Sequence, residues 1–126
     1  MIRVLIVEDD DADTQKAGKI FQKLGLEIQS MESVEIAEDF LEKVVQGVSD
    51  RPDLIVLDLG FPGESGYAIL RSWKSTPGLY SIPIVVWTQL SQLDCDLAEL
   101  FGVSRVIKKS QGPAALEAAV KHAVGI

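Results

Sequence analysis

Four short apolar runs, rich in valine and isoleucine, constrain the fold more than any other feature of this sequence. Apolar and polar residues hardly alternate within them, which is typical of parallel strands covered on both faces. A further strand, at about Glu27–Met31, is less sharply marked. The four runs are Ile2–Val7, Leu54–Leu57, Ile84–Trp87 and Val103–Ile107.

The segments between these runs carry apolar residues at helical spacing. The repeats are Ala17, Ile20, Phe21 and Leu24; Ala37, Phe40, Leu41, Val44, Val45 and Val48; Ile69, Leu70 and Trp73; Leu93, Leu97, Leu100 and Phe101; and Leu116, Ala119, Val120 and Ala123. Gly112-Pro113 is a favourable start for the last helix. Strands and helices in alternation, joined by right-handed crossovers, predict an α/β fold. We expect a doubly wound five-stranded parallel sheet of order 2-1-3-4-5 with helices on both faces.

Length and charge narrow the class of protein. The 126 residues contain no repeat and no Gly/Ser-rich linker, so we expect one domain over residues 1–126. Nineteen acidic against twelve basic side chains give a net charge of −7, which disfavours direct binding of nucleic acid or anionic membranes. No apolar run could span a bilayer, no secretory signal is visible, and the single cysteine fits a reducing compartment. These features predict a cytoplasmic protein.

Polar side chains follow four of the five predicted strands. In open α/β sheets, ligands bind outside the carboxyl ends of the strands, near the point where strand order reverses. The residues at these ends are Glu8, Asp9 and Asp10 after the first strand, Asp58 after the third, Thr88 after the fourth, and Lys108 and Lys109 after the fifth. An ordinary explanation exists for part of this set, because aspartates cap helix N-termini. It covers Asp9, Asp10, Asp11 and Asp13.

Asp58 is harder to explain by capping. A carboxylate that leaves a buried strand beside two others is repelled by them, which raises pKa values and calls for a cation. Mg²⁺ suits such a site because it prefers oxygen ligands and retains several waters, and Lys109 would supply a second positive charge. Two cations beside one aspartate are what phosphoryl transfer to a carboxylate requires, and the Thr88 hydroxyl could bond the same phosphoryl group.

The set of segments resembles the receiver domain of two-component response regulators, similar to chemotaxis regulators, over essentially the whole chain. The matching segments are Val4–Asp10, Leu57–Gly66, Ile82–Thr88 and Val106–Lys109. The resemblance implies a flavodoxin-like receiver fold, with Asp58 as phosphoacceptor and with Thr88 and Lys109 in contact with the phosphoryl group. It also implies a Mg²⁺ site in which Asp9 is a direct ligand, Glu8 a ligand through water, and Gly60 a ligand through its backbone carbonyl, beside Asp58.

Three positions depart from the family pattern. Ser110 stands where proline usually follows the lysine, and a cis peptide bond before a non-proline residue costs about 3 kcal/mol or more. Gln89 replaces the small residue that often follows the strand-four hydroxyl. Val106 replaces the aromatic residue whose ring swings inward on activation, so the signal would have to pass through the Thr88 loop and the fourth helix as a population shift.

The resemblance implies partners and leaves an alternative. A sensor histidine kinase or a histidine phosphotransfer protein would donate the phosphoryl group, and an output protein or a second copy would bind the strand-4 to helix-5 face. Beyond its own phosphorylation and dephosphorylation the domain would not be an enzyme. The alternative is a degenerate receiver that acts as a phosphorylation-independent dimerisation or docking module. A haloacid-dehalogenase-like phosphatase needs a second aspartate where Gly60 stands, and the phosphate-binding loop of flavodoxins is absent.

Overall fold

The computed structural model describes residues 1–60 and 66–126. Part of the loop that resembles the family's phosphorylation loop, residues 61–65, lies outside the described residues. The strands are β1 (Arg3–Val7), β2 (Glu27–Met31), β3 (Leu54–Leu57), β4 (Ile84–Thr88) and β5 (Arg105–Lys108). The α-helices are α1 (Asp11–Lys23), α2 (Val34–Val45), α3 (Gly66–Ser75), α4 (Gln92–Glu99) and α5 (Pro113–Val124), and a 3₁₀ turn covers Lys109–Gln111.

The five strands form one parallel sheet of order β2-β1-β3-β4-β5, as predicted. Val7 pairs with Leu57 across β1 and β3, so these two strands end at the same level. Thr88 pairs with Lys108 across β4 and β5. Because every strand runs in the same direction, the residues that follow them gather at one edge of the sheet. This register brings Glu8, Asp58 and Lys109 together.

Helices cover both faces of the sheet, which confirms the doubly wound arrangement. On one face α1 and α5 pack against the strands through a cluster that includes Ala17, Phe21, Leu116 and Val120. On the other face a second cluster joins α2, α3 and α4 to the sheet. Because both faces are covered, the strands β1, β3 and β4 are buried almost throughout, in keeping with their unbroken apolar runs.

Capping side chains define where the helices begin. Asp10 is the N-cap of α1, where its carboxylate accepts a hydrogen bond from the Asp13 amide at 2.9 Å. Ser33 caps α2 and Ser91 caps α4 in the same way. Pro113 opens α5, as the sequence predicted, and needs no partner for a backbone N–H. None of the helices in the described residues is long and apolar enough to cross a membrane.

The apolar spacing of α4 was misread. The predicted face contained Leu93, Leu97 and Leu100, but all three are exposed, and Leu100 lies beyond the helix end. The buried residues of α4 are instead the small Cys95 and Ala98. Phe101, the last residue of the predicted repeat, is half-buried beyond the helix and packs against the core cluster.

Two further predicted boundaries were wrong by two residues or more, whereas the predicted ends of β1 and β4 differ by at most one residue. β5 begins at Arg105 rather than Val103, since Gly102 turns the chain with a φ of 74° and pairing with β4 starts only at Arg105. Val48 lies past the end of α2 and is exposed. In each case an apolar residue next to an element was counted as part of it.

The difference in burial between Leu41 and Leu93 predicts very different effects of truncating each to alanine. Leu41 in α2 is 1% exposed and Leu93 in α4 is 69% exposed. Leu41→Ala should lower the free energy of unfolding by about 2–5 kcal/mol, because it removes buried surface and leaves a cavity. Leu93→Ala, the matched control, should change it by less than about 0.5 kcal/mol. Urea unfolding followed by circular dichroism measures both, and equal losses would contradict this description of the core.

Candidate functional site

The Lys109 ammonium lies at the centre of an acidic site at the carboxyl edge of the sheet. Its Nζ donates to Glu8 Oε2 at 2.7 Å, to Asp13 Oδ2 at 2.7 Å and to Asp58 Oδ2 at 3.2 Å. The Lys109 side chain is only 8% exposed. A lysine ammonium has three donors, and each is directed at a different carboxylate. One buried cation therefore joins the ends of β1 and β3 and the first turn of α1.

The Asp58 carboxylate is held by three donors. Its Oδ1 accepts from the Thr88 hydroxyl at 2.9 Å and from the Gly60 amide at 3.0 Å, while Oδ2 accepts from Lys109. Thr88 is fully buried at the end of β4, so its hydroxyl is fixed in place. A Cβ added at Gly60 would lie 3.4 Å from Asp58 Oδ1, so glycine leaves one side of this carboxylate open.

Three carboxylates at this edge fit a hard divalent cation. One oxygen from each of Glu8, Asp9 and Asp58 lies within 4.8 Å of the others. All three line an open cavity of about 320 Å³, together with Gly60, Thr88 and Lys109. Carboxylate oxygens with room for water are the ligands that Mg²⁺ prefers. The donor set therefore fits the predicted metal.

Burial and neighbouring charges perturb two of these groups. Burial raises the pKa of Glu8 to about 7, with a further contribution from the Asp58 charge, although hydrogen bonding to Lys109 opposes it. Burial lowers the pKa of Lys109, but its hydrogen bonds to Asp13 and Glu8 and the charge of Asp58 outweigh that effect and leave the pKa above its ordinary value. Lys109 therefore stays protonated, whereas Glu8 titrates near neutrality.

The residues predicted from the sequence do converge at this cavity: Glu8, Asp9, Asp58, Gly60, Thr88 and Lys109. Their chemical roles remain predictions. Asp10 performs the ordinary task considered for it, because it caps α1. Lys108 is the last residue of β5, and its amide donates to Gln111 Oε1 at 2.7 Å, which fixes the turn that carries Lys109.

Asp13 is a member of the site that sequence reasoning missed. It was interpreted as one of several capping aspartates, yet its carboxylate binds Lys109 at 2.7 Å. A signal was available, since Asp13 shares the buried face of α1 with Ala17 and Phe21, four and eight residues later. An acidic residue in the apolar stripe of a helix needs a buried partner.

Trp87 borders the site on the α1 and α5 side. The Lys109 Nζ lies 5.0 Å from the centroid of its ring, within the range of a cation–π contact. Trp87, Asp13 and Lys109 also line a mostly apolar cleft of about 660 Å³. Asp13, Lys109 and Gln89 border both this cleft and the acidic cavity, so the Asp13–Lys109 ion pair forms part of the boundary between the two.

The departures from the family pattern can now be located. Ser110 is exposed in the 3₁₀ turn, and no cis peptide bond occurs among the described residues. Val106 is half-buried in β5 and packs against the cluster beneath α4. Gln89 is exposed directly after Thr88. None of these residues removes a hydrogen-bond donor from Asp58.

Comparisons with known proteins point to one family. The family model for the response regulator receiver domain matches residues 4–121. The virulence transcriptional regulatory protein PhoP of Salmonella typhimurium is 31% identical over 88 residues, which is 70% of this chain and 36% of PhoP. The chain thus spans about a third of the length of this curated relative and less of some others.

Solved structures agree with this match. The Mn²⁺-bound form of response regulator Rcp1 has a TM-score of 0.79 and 28% identity, over 100% of this chain and 91% of that one. The phosphorylated cyanobacterial phytochrome response regulator RcpA has a TM-score of 0.80 and 28% identity, over 96% of this chain and 89% of that one.

The shifted pKa of Glu8 predicts how stability depends on pH in the absence of divalent cations. Between the ordinary value of 4.5 and the folded value of about 7, the unfolded chain has lost the Glu8 proton while the folded protein retains it. The Glu8 contribution to the free energy of unfolding should therefore fall as pH rises through this window, by up to about 3 kcal/mol. Urea titrations of the wild type and Glu8→Gln with EDTA, at pH 5, 6 and 7, test this. The difference between the two proteins should change with pH, and parallel profiles would contradict it.

Proposed function

Because the chain belongs to the response regulator receiver domain family, we propose that Asp58 accepts a phosphoryl group in a Mg²⁺-dependent reaction and that this changes the binding of a partner. The observation that supports this most directly is the surroundings of Asp58. Its carboxylate accepts hydrogen bonds from the Thr88 hydroxyl and the Lys109 ammonium. It also lies beside the carboxylates of Glu8 and Asp9. The donor in this proposal is a sensor histidine kinase or a histidine phosphotransfer protein.

The proposed transfer needs no base, since an ionised carboxylate is already a nucleophile. A bond forms between an Asp58 oxygen and phosphorus as the bond from phosphorus to the donor nitrogen breaks, and its electron pair stays on that nitrogen. Lys109 and Thr88 would donate to the equatorial oxygens, where charge must be stabilised. Glu8, Asp9, Asp58 and the Gly60 carbonyl would hold Mg²⁺, which supplies positive charge to the same oxygens.

Reversal of the modification uses the same site. Water would attack phosphorus on the side opposite Asp58, forming inorganic phosphate and restoring the carboxylate. Gly60 has no side chain that could cover the carboxylate, and a Cβ there would already contact Asp58. In the proposal, residue 60 therefore gives the phosphoryl group no steric protection from water.

The proposed signal passes from Thr88 to α4. The Thr88 hydroxyl accepts a hydrogen bond from the Leu90 amide at 3.4 Å, so movement of the hydroxyl toward a phosphoryl group alters the start of the loop before α4. Leu93 and Leu97 are exposed on α4 and offer apolar area to an output protein or a second copy on the β4 to α5 side. Val106 supplies no aromatic ring to this route.

The same surface favours a second candidate function. Leu93 and Leu97 on α4 are exposed in the unmodified protein. Val106 stands at the position where many receivers carry the aromatic residue that couples phosphorylation to this face. A docking or dimerisation module that works without phosphorylation would use that face in the same way. Phosphorylation and its effect on α4 therefore have to be tested separately.

Phosphorylation is tested on Asp58 itself. With Mg²⁺ and acetyl phosphate, the wild type should gain the mass of one phosphoryl group in intact-mass spectra, and Asp58→Asn should gain none because the nucleophile is lost. Asp39→Asn, an exposed helical aspartate, is the matched control and should behave as the wild type. EDTA should abolish the mass increase. An unmodified wild type under these conditions, with the fold intact by circular dichroism, would contradict the proposal.

Coupling to α4 is tested on Thr88. Saturating beryllofluoride with Mg²⁺ should change hydrogen exchange of the α4 amides in the wild type and in Thr88→Ser, which keeps the hydroxyl. Thr88→Ala should bind beryllofluoride with a smaller change in α4, because the donor that links Asp58 to Leu90 is gone. The measurement is exchange mass spectrometry of peptides that cover Gln92–Glu99. No change in α4 of the wild type would favour the phosphorylation-independent module, whereas equal changes in all three proteins would contradict a route through the Thr88 hydroxyl.

A further inference from the structure

One contact in the site is explained neither by helix capping nor by the ligand set assigned above. Asp13 Oδ2 lies 2.7 Å from Lys109 Nζ, as close as the Glu8 oxygen and closer than the Asp58 oxygen at 3.2 Å. We propose that Asp13 is a positioning residue, which aims one N–H of Lys109 at the place where the phosphoryl group on Asp58 would lie. The inference rests on the proposed function, because it assigns Asp13 a part in holding that group.

The geometry of the ammonium supports this role. The lysine ammonium lies at the end of a flexible four-carbon stem, so a single acceptor does not fix both the position of Nζ and the direction of its protons. Glu8 and Asp13 lie on different elements, the end of β1 and the first turn of α1, and together they fix two of the three protons. The third proton then faces Asp58, with which it makes the longest of the three contacts. A phosphoryl oxygen on Asp58 would accept a hydrogen bond from that N–H and leave the hydrogen bonds to Glu8 and Asp13 in place.

The surroundings of Lys109 show where it could go without Asp13. The Trp87 ring lies 5.0 Å from the ammonium, and the apolar cleft of about 660 Å³ opens on that side. Exposed Lys16 and Lys19 line the same cleft, so solvent reaches it. A flexible four-carbon stem allows the Lys109 ammonium to turn toward this water-accessible side. Asp13 opposes that movement because it stands between the cleft and the acidic cavity.

Among the residues that the structure describes, the Asp13 side chain makes no other strong contact that would account for its burial. Asp10 already caps α1, and the second Asp13 oxygen lies 3.9 Å from Nζ of Lys16, whose side chain is 71% exposed. A buried carboxylate is costly unless it is paired and hydrogen-bonded. The pairing with Lys109 is therefore the contact that compensates for Asp13 within the apolar stripe of α1.

Charge and hydrogen bonding can be separated at this position. Asp13→Asn removes the charge but keeps an acceptor oxygen, whereas Asp13→Ala removes both. Asp13→Leu fills the space of the aspartate without a hydrogen-bond acceptor. It replaces Asp13→Ala in the measurements if the alanine variant does not fold. Asp11→Ala, in the same turn but exposed, is the control for loss of one negative charge near the site. Circular dichroism and thermal unfolding establish which variants are folded.

The first measurement is the affinity for beryllofluoride at a fixed, saturating Mg²⁺ concentration. Asp13→Ala and Asp13→Leu should bind about tenfold more weakly than Asp13→Asn, as expected for loss of a hydrogen bond to a charged group. Asp11→Ala should remain within about twofold of the wild type. Equal affinities of the alanine, leucine and asparagine variants would overturn the inference, since all three lose the same charge and a purely electrostatic role predicts no difference among them.

The second measurement follows Lys109 without any phosphoryl analogue. In a Trp73→Phe background, Trp87 is the sole tryptophan, and its emission reports the ammonium near its ring. Asp13→Ala should shift this emission, and Asp13→Asn should shift it less. Unchanged emission in Asp13→Ala would overturn the inference. If the wild type does not bind beryllofluoride, both the proposed function and this inference are overturned. If the wild type binds it, and Asp13→Ala and Asp13→Asn bind it with equal affinity, only the inference is overturned.

Discussion

The contact between the buried Lys109 ammonium and three carboxylates holds together the elements that meet at the carboxyl edge of the sheet. Lys109 binds Glu8 after β1, Asp13 in α1 and Asp58 after β3. Isolated charges of this kind are too costly to bury, and one lysine cannot neutralise three carboxylates together with Asp9. The site therefore keeps an excess of negative charge within the fold. Such an excess is compatible with folding when the charges face an open cavity that admits water and a cation.

Most of the architecture could be predicted because burial of apolar side chains determines both the apolar pattern of the sequence and the way helices cover the sheet. β2 and β3 have the predicted bounds, and the doubly wound sheet follows from five βα units with right-handed crossovers. The crossovers do not determine the strand order, and the order that we chose was correct. The errors arose where an apolar residue does not face the core. Leucine on α4 was taken to mark the buried side, yet the buried residues of that helix are Cys95 and Ala98. Spacing alone does not distinguish a buried stripe from an exposed one on a short helix.

The candidate site was predictable to the extent that topology alone brings residues together. Parallel strands deliver Glu8, Asp58, Thr88 and Lys109 to one edge whatever the details of packing. Asp13 was not found because an aspartate in the first turn of a helix has an ordinary explanation, and only its place on the buried face contradicts that explanation. The output partner could not be inferred either, since its specificity depends on a complementary surface that belongs to another molecule.

The single cysteine has a consequence for the chemistry that can reach this domain. Cys95 is buried in α4, its thiol lies 3.9 Å from the Leu90 carbonyl, and burial raises its pKa although Lys108 opposes the effect. Reaction with peroxides or disulfides requires the thiolate and physical access, and here burial restricts both. An oxidative burst that modifies exposed thiols elsewhere would therefore leave α4 unaltered while the helix stays packed. The phosphoryl transfer proposed for Asp58 would therefore not depend on the oxidation state of Cys95.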